Sequence, residues 1–338
     1  MAVNAPASPK LAGKSRWRLI GAESMLLLAA ILWGGAFVAQ KRAWALEVEV
    51  LPLISMRFLL GAAVLAPLAI WRAPRAGAKS GRRRRDLWIG GAVAGAALFV
   101  GAILQQAGMK WTTPGVAGFI TGLYVLFVPM LGLLVGVRAH APVWIGACLA
   151  TVGLYLMSVH GRPEINPGDA LVLLGSVAWA LHVLVIAWAA PRTDPILLSV
   201  IQFAVTGVLA SIASIATGRS PIEGLENAPF DILYLGVVAV AIAFTLQVIG
   251  QRVTPAPHAV IILSLEAIFA AIGGAIFFDE RFGIAALIGS GLMLGGALLS
   301  QLVDPPKPVK APEAEAATDS PVERKATAAA PAPRSIDD

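Results

Sequence analysis

Apolar residues run through this chain in long unbroken blocks, separated by short polar links. A helix that crosses the hydrocarbon of a bilayer needs about 20 mostly apolar residues. Ten blocks meet that requirement, at 21–40, 50–71, 87–108, 113–136, 142–160, 168–190, 195–217, 230–251, 255–278 and 283–302. None alternates with period two, so the pattern predicts spanning helices and not the strands of a membrane barrel. Proline and glycine mark the links, at Pro142, Pro167–Gly168, Pro191, Pro195 and Pro255. Proline lacks a backbone donor and glycine relaxes the chain, so both punctuate helices. The polar, basic segment before the first block is followed by no convincing cleavage site, and that block is expected to be a span, not a signal peptide. Beyond residue 302 the chain turns rich in Pro, Ala and charge, and 303–338 is expected to be a disordered tail.

Composition agrees with the pattern. Of the 338 residues, 57% are hydrophobic and 14% are charged, against about 25% charged in a soluble domain. The net charge of +6 is concentrated in runs such as "RAPRAGAKSGRRRRD" and not spread over a face, which speaks against nucleic acid as a partner. Its use is topological, because Lys and Arg stay on the cytoplasmic side. With the N-terminus inside, the inner links hold Lys10, Lys14, Arg16, Arg18, seven residues from Arg72 to Arg85, Arg138, Arg192 and Arg252, and the tail adds Lys307 and Lys310. The outer links hold Lys41, Arg42, Lys110, Arg162, Arg219 and Arg281. Sixteen against six puts both termini in the cytoplasm, consistent with an even number of spans.

The chain also repeats itself. "LQQAGMKWTTPGVA" from Leu104 matches "LQVIGQRVTPAPHA" from Leu246 at an offset of 142, with Gln105 on Gln247 and Thr112 on Thr254. With slips of a few residues, Gly146 meets Gly289, Gly153 meets Gly296, Phe58 meets Phe203, Arg57 meets Gln202 and Trp33 meets Trp179. The repeat unit holds five spans, an odd number, so the second copy enters from the opposite side. Inverted repeats of this kind place a substrate site near the midplane and rock about it. The expected fold is an all-α membrane protein of ten transmembrane helices in two inverted five-helix repeats. It would comprise an N-terminal cytoplasmic tail at 1–20, repeats at 21–160 and 168–302, and a C-terminal cytoplasmic tail.

The duplicated layout, "ILWGGAFVAQK", "SMRFLLGA" and above all "SLEAIFAAIGGAIFFDERF" resemble the EamA-type proteins of the drug/metabolite transporter superfamily. The resemblance covers about 21–302 and implies a secondary transporter in the cell (inner) membrane, often an exporter of metabolites, amino acids or toxic compounds. It names no substrate. The halves depart from each other where the first carries Tyr124 and the second Glu266.

The polar residues inside the spans are the candidate substrate-binding or coupling groups. A charge at the bilayer centre costs roughly 2.5–3.5 kcal/mol on insertion scales, and a carboxyl can avoid that cost by taking a proton. Glu266 therefore reads either as a proton-coupling or substrate-ammonium group, or as a structural hydrogen-bond partner. Arg57 reads first as an anchor that snorkels outward, and second as a clamp for a substrate anion. Gln202, the repeat partner of Arg57, suits an uncharged hydrogen bond to a ligand, and Gln105 and Gln247 suit interhelical bonding or cavity lining. His182 suits a proton relay or a satisfied core site, and His258 an interfacial position. Trp33, Trp179 and Tyr124 sit deep by count and together suggest a cavity wall, whereas Trp44, Trp71, Trp88 and Trp111 fit interfacial belts. Cys148 reads as a small packing residue. The Gly- and Ala-rich stretches from Gly90 and Gly289 predict close helix packing, within the bundle or in a homodimer.

No P-loop, HExxH or Cys/His cluster is present, so no cofactor or metal is expected and the protein is read as a non-enzyme. The expected partners are a small-molecule substrate, the lipid bilayer and protons as coupling ion. The expected function is alternating-access export of small metabolites or amino-acid-like solutes. A channel, a lipid flippase or a membrane sensor of the same architecture is the alternative.

Overall fold

A computed structural model describes residues 9–77, 81–137, 139–158 and 166–301. The expected tail at 303–338, the first eight residues and the charges at Arg138 and Arg162 lie outside the described residues. Those described are helical, without a strand.

In chain order the helices are α1 (Pro9–Ala45), α2 (Val50–Gly77), α3 (Gly81–Gly108), α4 (Pro114–Gly122), α5 (Tyr124–Leu134), α6 (Ala141–Ser158), α7 (Pro167–Ala189), α8 (Pro195–Ala216), α9 (Pro229–Leu233), α10 (Thr245–Gly250), α11 (Ala256–Leu263), α12 (Glu266–Phe278) and α13 (Ile284–Gln301). A π-helical stretch, Tyr234–Phe244, joins α9 to α10. Counted as continuous rods, eight of these are long and apolar enough to cross a membrane, while the apolar parts of α6 and α13 are shorter, at Ala141–Leu156 and Ile284–Leu299. Helix α1 begins at Pro9, well before the residue 21 expected from its apolar block.

Local chemistry explains the starts. Thr113, Asn166 and Asp194 each stand at an N-cap with proline next in line. Each side-chain oxygen accepts from a first-turn N–H, and proline suits a position whose own N–H would be orphaned. Asn166 and Asp169 close a reciprocal capping box.

Packing explains the small residues. A Cβ on Gly95 would lie 2.7 Å from the Gln202 carbonyl on α8, and one on Gly108 would lie 2.6 Å from the Gly168 carbonyl on α7. Helices α6 and α13 cross through two reciprocal contacts, Gly153 against the Gly289 carbonyl and Gly296 against the Gly146 carbonyl. The stretch from Gly90 is thus used inside the bundle, as is one face of the stretch from Gly289, whereas Gly291 and Gly295 face open space. Large apolar side chains such as Leu134, Ile276 and Leu298 cover the outer surface, as expected where lipid is the solvent. Trp71, Trp88 and Trp111 are among the exposed aromatics.

Two expectations change, those for Cys148 and Arg57. Cys148 is exposed, because α6 presents that face outward. His258 is buried in the first turn of α11. Arg57 does not snorkel: it is 5% exposed, and α2 turns it into the bundle.

Candidate functional site

A cavity, with about 560 Å³ of empty space counting what opens to solvent, lies where α1, α2, α3, α4, α5, α7, the π-helical stretch, α10 and α12 meet. Helical spacing brings its walls together. Trp33, Phe37 and Gln40 stand at i, i+4 and i+7 on one face of α1, and Trp179, His182 and Val183 do the same at i, i+3 and i+4 on α7. Helix α2 contributes Arg57, α3 contributes Gln105, and α10 contributes Gln247. Tyr124 and Glu266 enter from the first turns of α5 and α12, next to breaks in their rods. From the π-helical stretch come Ala239, Val240 and Phe244.

Eight of the nine residues singled out in the sequence therefore line one cavity: Trp33, Arg57, Gln105, Tyr124, Trp179, His182, Gln247 and Glu266. The ninth, Gln202, stands behind the wall. Its Oε1 lies 2.9 Å from His182 Nε2, and since an amide oxygen only accepts, Nε2 carries the hydrogen. Sequence reasoning missed Gln40, Thr121 and Phe244. The signal for the first two was helical: Gln40 follows Trp33 by seven residues, and Thr121 precedes Tyr124 by three.

The wall is partly aromatic. Phe244 lies at the centre of the group, 4.6 Å from Trp33, 5.9 Å from Trp179 and 5.8 Å from His182 between ring centroids. Trp33 Nε1 donates to the Ala239 carbonyl at 3.0 Å, but Trp179 Nε1 has no partner. Several other buried lining atoms are also unpartnered: Gln40 Oε1, Arg57 Nε, Thr121 Oγ1, His182 Nδ1 and Gln247 Oε1. The Tyr124 hydroxyl stands beside the Glu266 carboxyl but has no partner in hydrogen-bond geometry. Buried polar atoms left this way cost free energy, and in a concave site they are the groups that fix a solute's orientation. Among the described residues no cluster of His, Cys, Asp and Glu could hold a metal ion.

A second polar cluster ties neighbouring helix ends together. Lys41 Nζ, one residue beyond Gln40, donates to the Met109 and Thr112 carbonyls at 2.8 Å each. Asp279 ends α12 in the left-handed conformation, φ 52°, which Asp tolerates better than most residues. The turn folds Glu280 back so that its Oε1 accepts from the Gly115 N–H at 3.3 Å. Glycine leaves room for that carboxylate: a Cβ on Gly115 would lie 2.5 Å from Glu280 Oε2 and push it aside. The "FDERF" segment thus caps α4 with a carboxylate.

The chain resembles known proteins at three levels. The profile of the EamA-like transporter family matches residues 20–159 and again 166–302. An uncharacterized transporter of Archaeoglobus fulgidus is 28% identical over 247 residues, which span 72% of this chain and 74% of that one. A crystal structure of another protein shares the fold at a TM-score of 0.66 and 20% identity, covering 83% of this chain and 96% of its own. Two matches to one family profile, together spanning most of a multi-pass helical chain, show that this membrane protein belongs to the EamA-like transporter family.

Proposed function

We propose that the protein is a ten-span secondary transporter that exports small metabolites or amino-acid-like solutes by alternating access, with Glu266 as its proton-coupling group. The observation that carries this reading is the position of Glu266. It is buried, at a break in a spanning rod, in a cavity walled by helices from both halves of the chain. A carboxyl there can meet water from either side as the halves rock, and taking a proton removes the cost of its charge in the bilayer.

Matched features on either side of the cavity support the inverted repeat. The rods interrupted before Tyr124 and Glu266 are related by the offset of 142. The reciprocal contacts Gly153–Gly289 and Gly296–Gly146 are those a two-fold axis imposes on matched residues. Phe58 and Phe203, also matched, meet each other at 6.2 Å. On this reading α6 and α13 are the fifth and tenth spans, and the charge bias supports cytoplasmic termini.

The test compares solutes in the growth medium of cells that carry the protein, the Glu266→Gln variant at matched membrane level, or neither. A solute exported with the native protein and not with the variant supports the reading. Equal export by both keeps transport and makes Glu266 structural. Media identical to those of empty cells overturn export.

A further inference from the structure

Arg57 is the one lining residue whose charge is permanent, and no carboxylate among the described residues pairs with it. The ion pairs of the described residues are Arg42–Asp231, Arg72–Asp194 and Arg219 with Glu49 and Glu223. Arg57 is in none of them, and Glu266 across the same lining is not within ion-pair distance. Its Nε has no hydrogen-bond partner, and its described contact is with the Phe58 ring, 5.2 Å from the guanidinium carbon. A buried charge left in this state is costly unless something pairs with it.

The position matched to Arg57 sharpens the point. Gln202 occupies it in the second half, is neutral, and is already bonded to His182. The two halves therefore present unequal groups, and only the Arg57 side offers charged donors to the cavity. Beside it lies an apolar wall of Trp33, Trp179 and Phe244.

We propose that Arg57 is the anchor for a carboxylate on the transported solute, whose apolar body packs on the Trp33, Trp179 and Phe244 wall. A guanidinium presents parallel N–H donors that match the two oxygens of a carboxylate. The class is a monoanion, because the lining holds a single fixed positive charge and a dianion would bring a second charge that no cation meets. A lining that is charged at Arg57 and aromatic beside it suits a small amphipathic acid. This assignment rests on the transport reading above and names the class of its cargo.

Three probes with one body and different heads test it: 4-phenylbutyrate, 4-phenylbutanol and 4-phenylbutylammonium. Each is titrated into the purified full-length protein, and binding is read by calorimetry. The native protein is expected to bind the carboxylate at least about tenfold more tightly than the alcohol or the ammonium probe. Arg57→Gln should lose that preference and Arg57→Lys should recover part of it, with thermal unfolding confirming that each variant is folded. The comparison among probes needs only the native chain, so it stands if a variant fails to fold. Equal affinity for the three heads, preference for the ammonium, or binding of none overturns the assignment, as does a folded Arg57→Gln that keeps the carboxylate preference. Those outcomes leave the medium comparison untouched, whereas loss of export there with carboxylate binding intact removes transport and keeps the anion site.

Discussion

Leu123 and Leu265 hold the same backbone conformation, φ −62° and ψ −13°, and each breaks its rod one residue before a cavity side chain, Tyr124 or Glu266. The hydrogen bonds around them also match. Leu123 N–H donates to the Ile120 carbonyl and Leu265 N–H to the Ile262 carbonyl, both at 3.2 Å. Leu126 and Ile268 donate back to Leu123 and Leu265, both at 3.0 Å. Bonds of i→i−3 type tighten the turn and re-aim the half-helix that follows. One chemical difference, a phenol against a carboxyl, is thus displayed on two equivalent supports.

The crossing of α6 and α13 leaves no room for side chains at its glycines. A Cβ on Gly296 would lie 2.6 Å from the Gly146 carbonyl, which is rigid backbone. Gly296→Val is expected to cost about 1–3 kcal/mol by overpacking, read as a lower unfolding temperature in detergent. Gly291→Ala on the open face of the same helix meets nothing within 4 Å and should gain about 0.5–1 kcal/mol of helix propensity. Equal effects at the two sites would contradict the packing described.

The two cavity tryptophans are predicted to differ. Trp33→Phe breaks a hydrogen bond to the Ala239 carbonyl and should cost about 1 kcal/mol. Trp179→Phe removes a buried donor that has no partner, so stability without solute should hold or rise. Thermal unfolding of both variants checks the order.

Asp194 combines a cap with an ion pair. Burial pushes its carboxyl up, but hydrogen bonds from Arg72 and from the Leu197 and Ile196 N–H groups outweigh it and hold the group below the usual carboxylate range. The stabilisation is therefore complete above about pH 3.9 and is lost as pH falls through the lower folded value. Asp194→Asn keeps a capping oxygen and should lose only the ion pair, about 0–1 kcal/mol. Asp194→Ala should lose about 1 kcal/mol more. Unfolding in denaturant at neutral and acidic pH separates the two contributions.

Glu280 titrates in the opposite sense. Burial raises its carboxyl above the usual range, and the Gly115 N–H, the Thr113 side chain and the Lys41 ammonium offset that only in part. The folded protein thus holds this proton more tightly than the unfolded chain. Its stabilising effect is complete below about pH 4.3 and is lost as pH rises through the folded value. The unfolding temperature of Glu280→Gln should therefore gain on that of the native protein as pH rises above that point. Parallel curves would remove Glu280 as the source.

Length and hydropathy were enough to read an all-helical chain with many membrane-length rods, because a bilayer demands about 20 apolar residues per crossing whatever the neighbours are. The same economy made the cavity residues legible. A polar side chain in an apolar block is costly unless it faces the protein interior, so Glu266, Gln105, Gln247 and His182 stood out before any contact was known. What the chain could not reveal alone was the rotation of each helix about its axis. Arg57 faces inward and Cys148 outward because neighbouring helices settle which side is buried. The π-helical stretch is uniformly apolar and carries no local mark of its wider winding. The break at Ser264–Leu265 has no proline or glycine of its own to announce it. Tertiary packing decided these features, and with them the convergence of Arg57, Glu266 and the aromatic wall on one cavity.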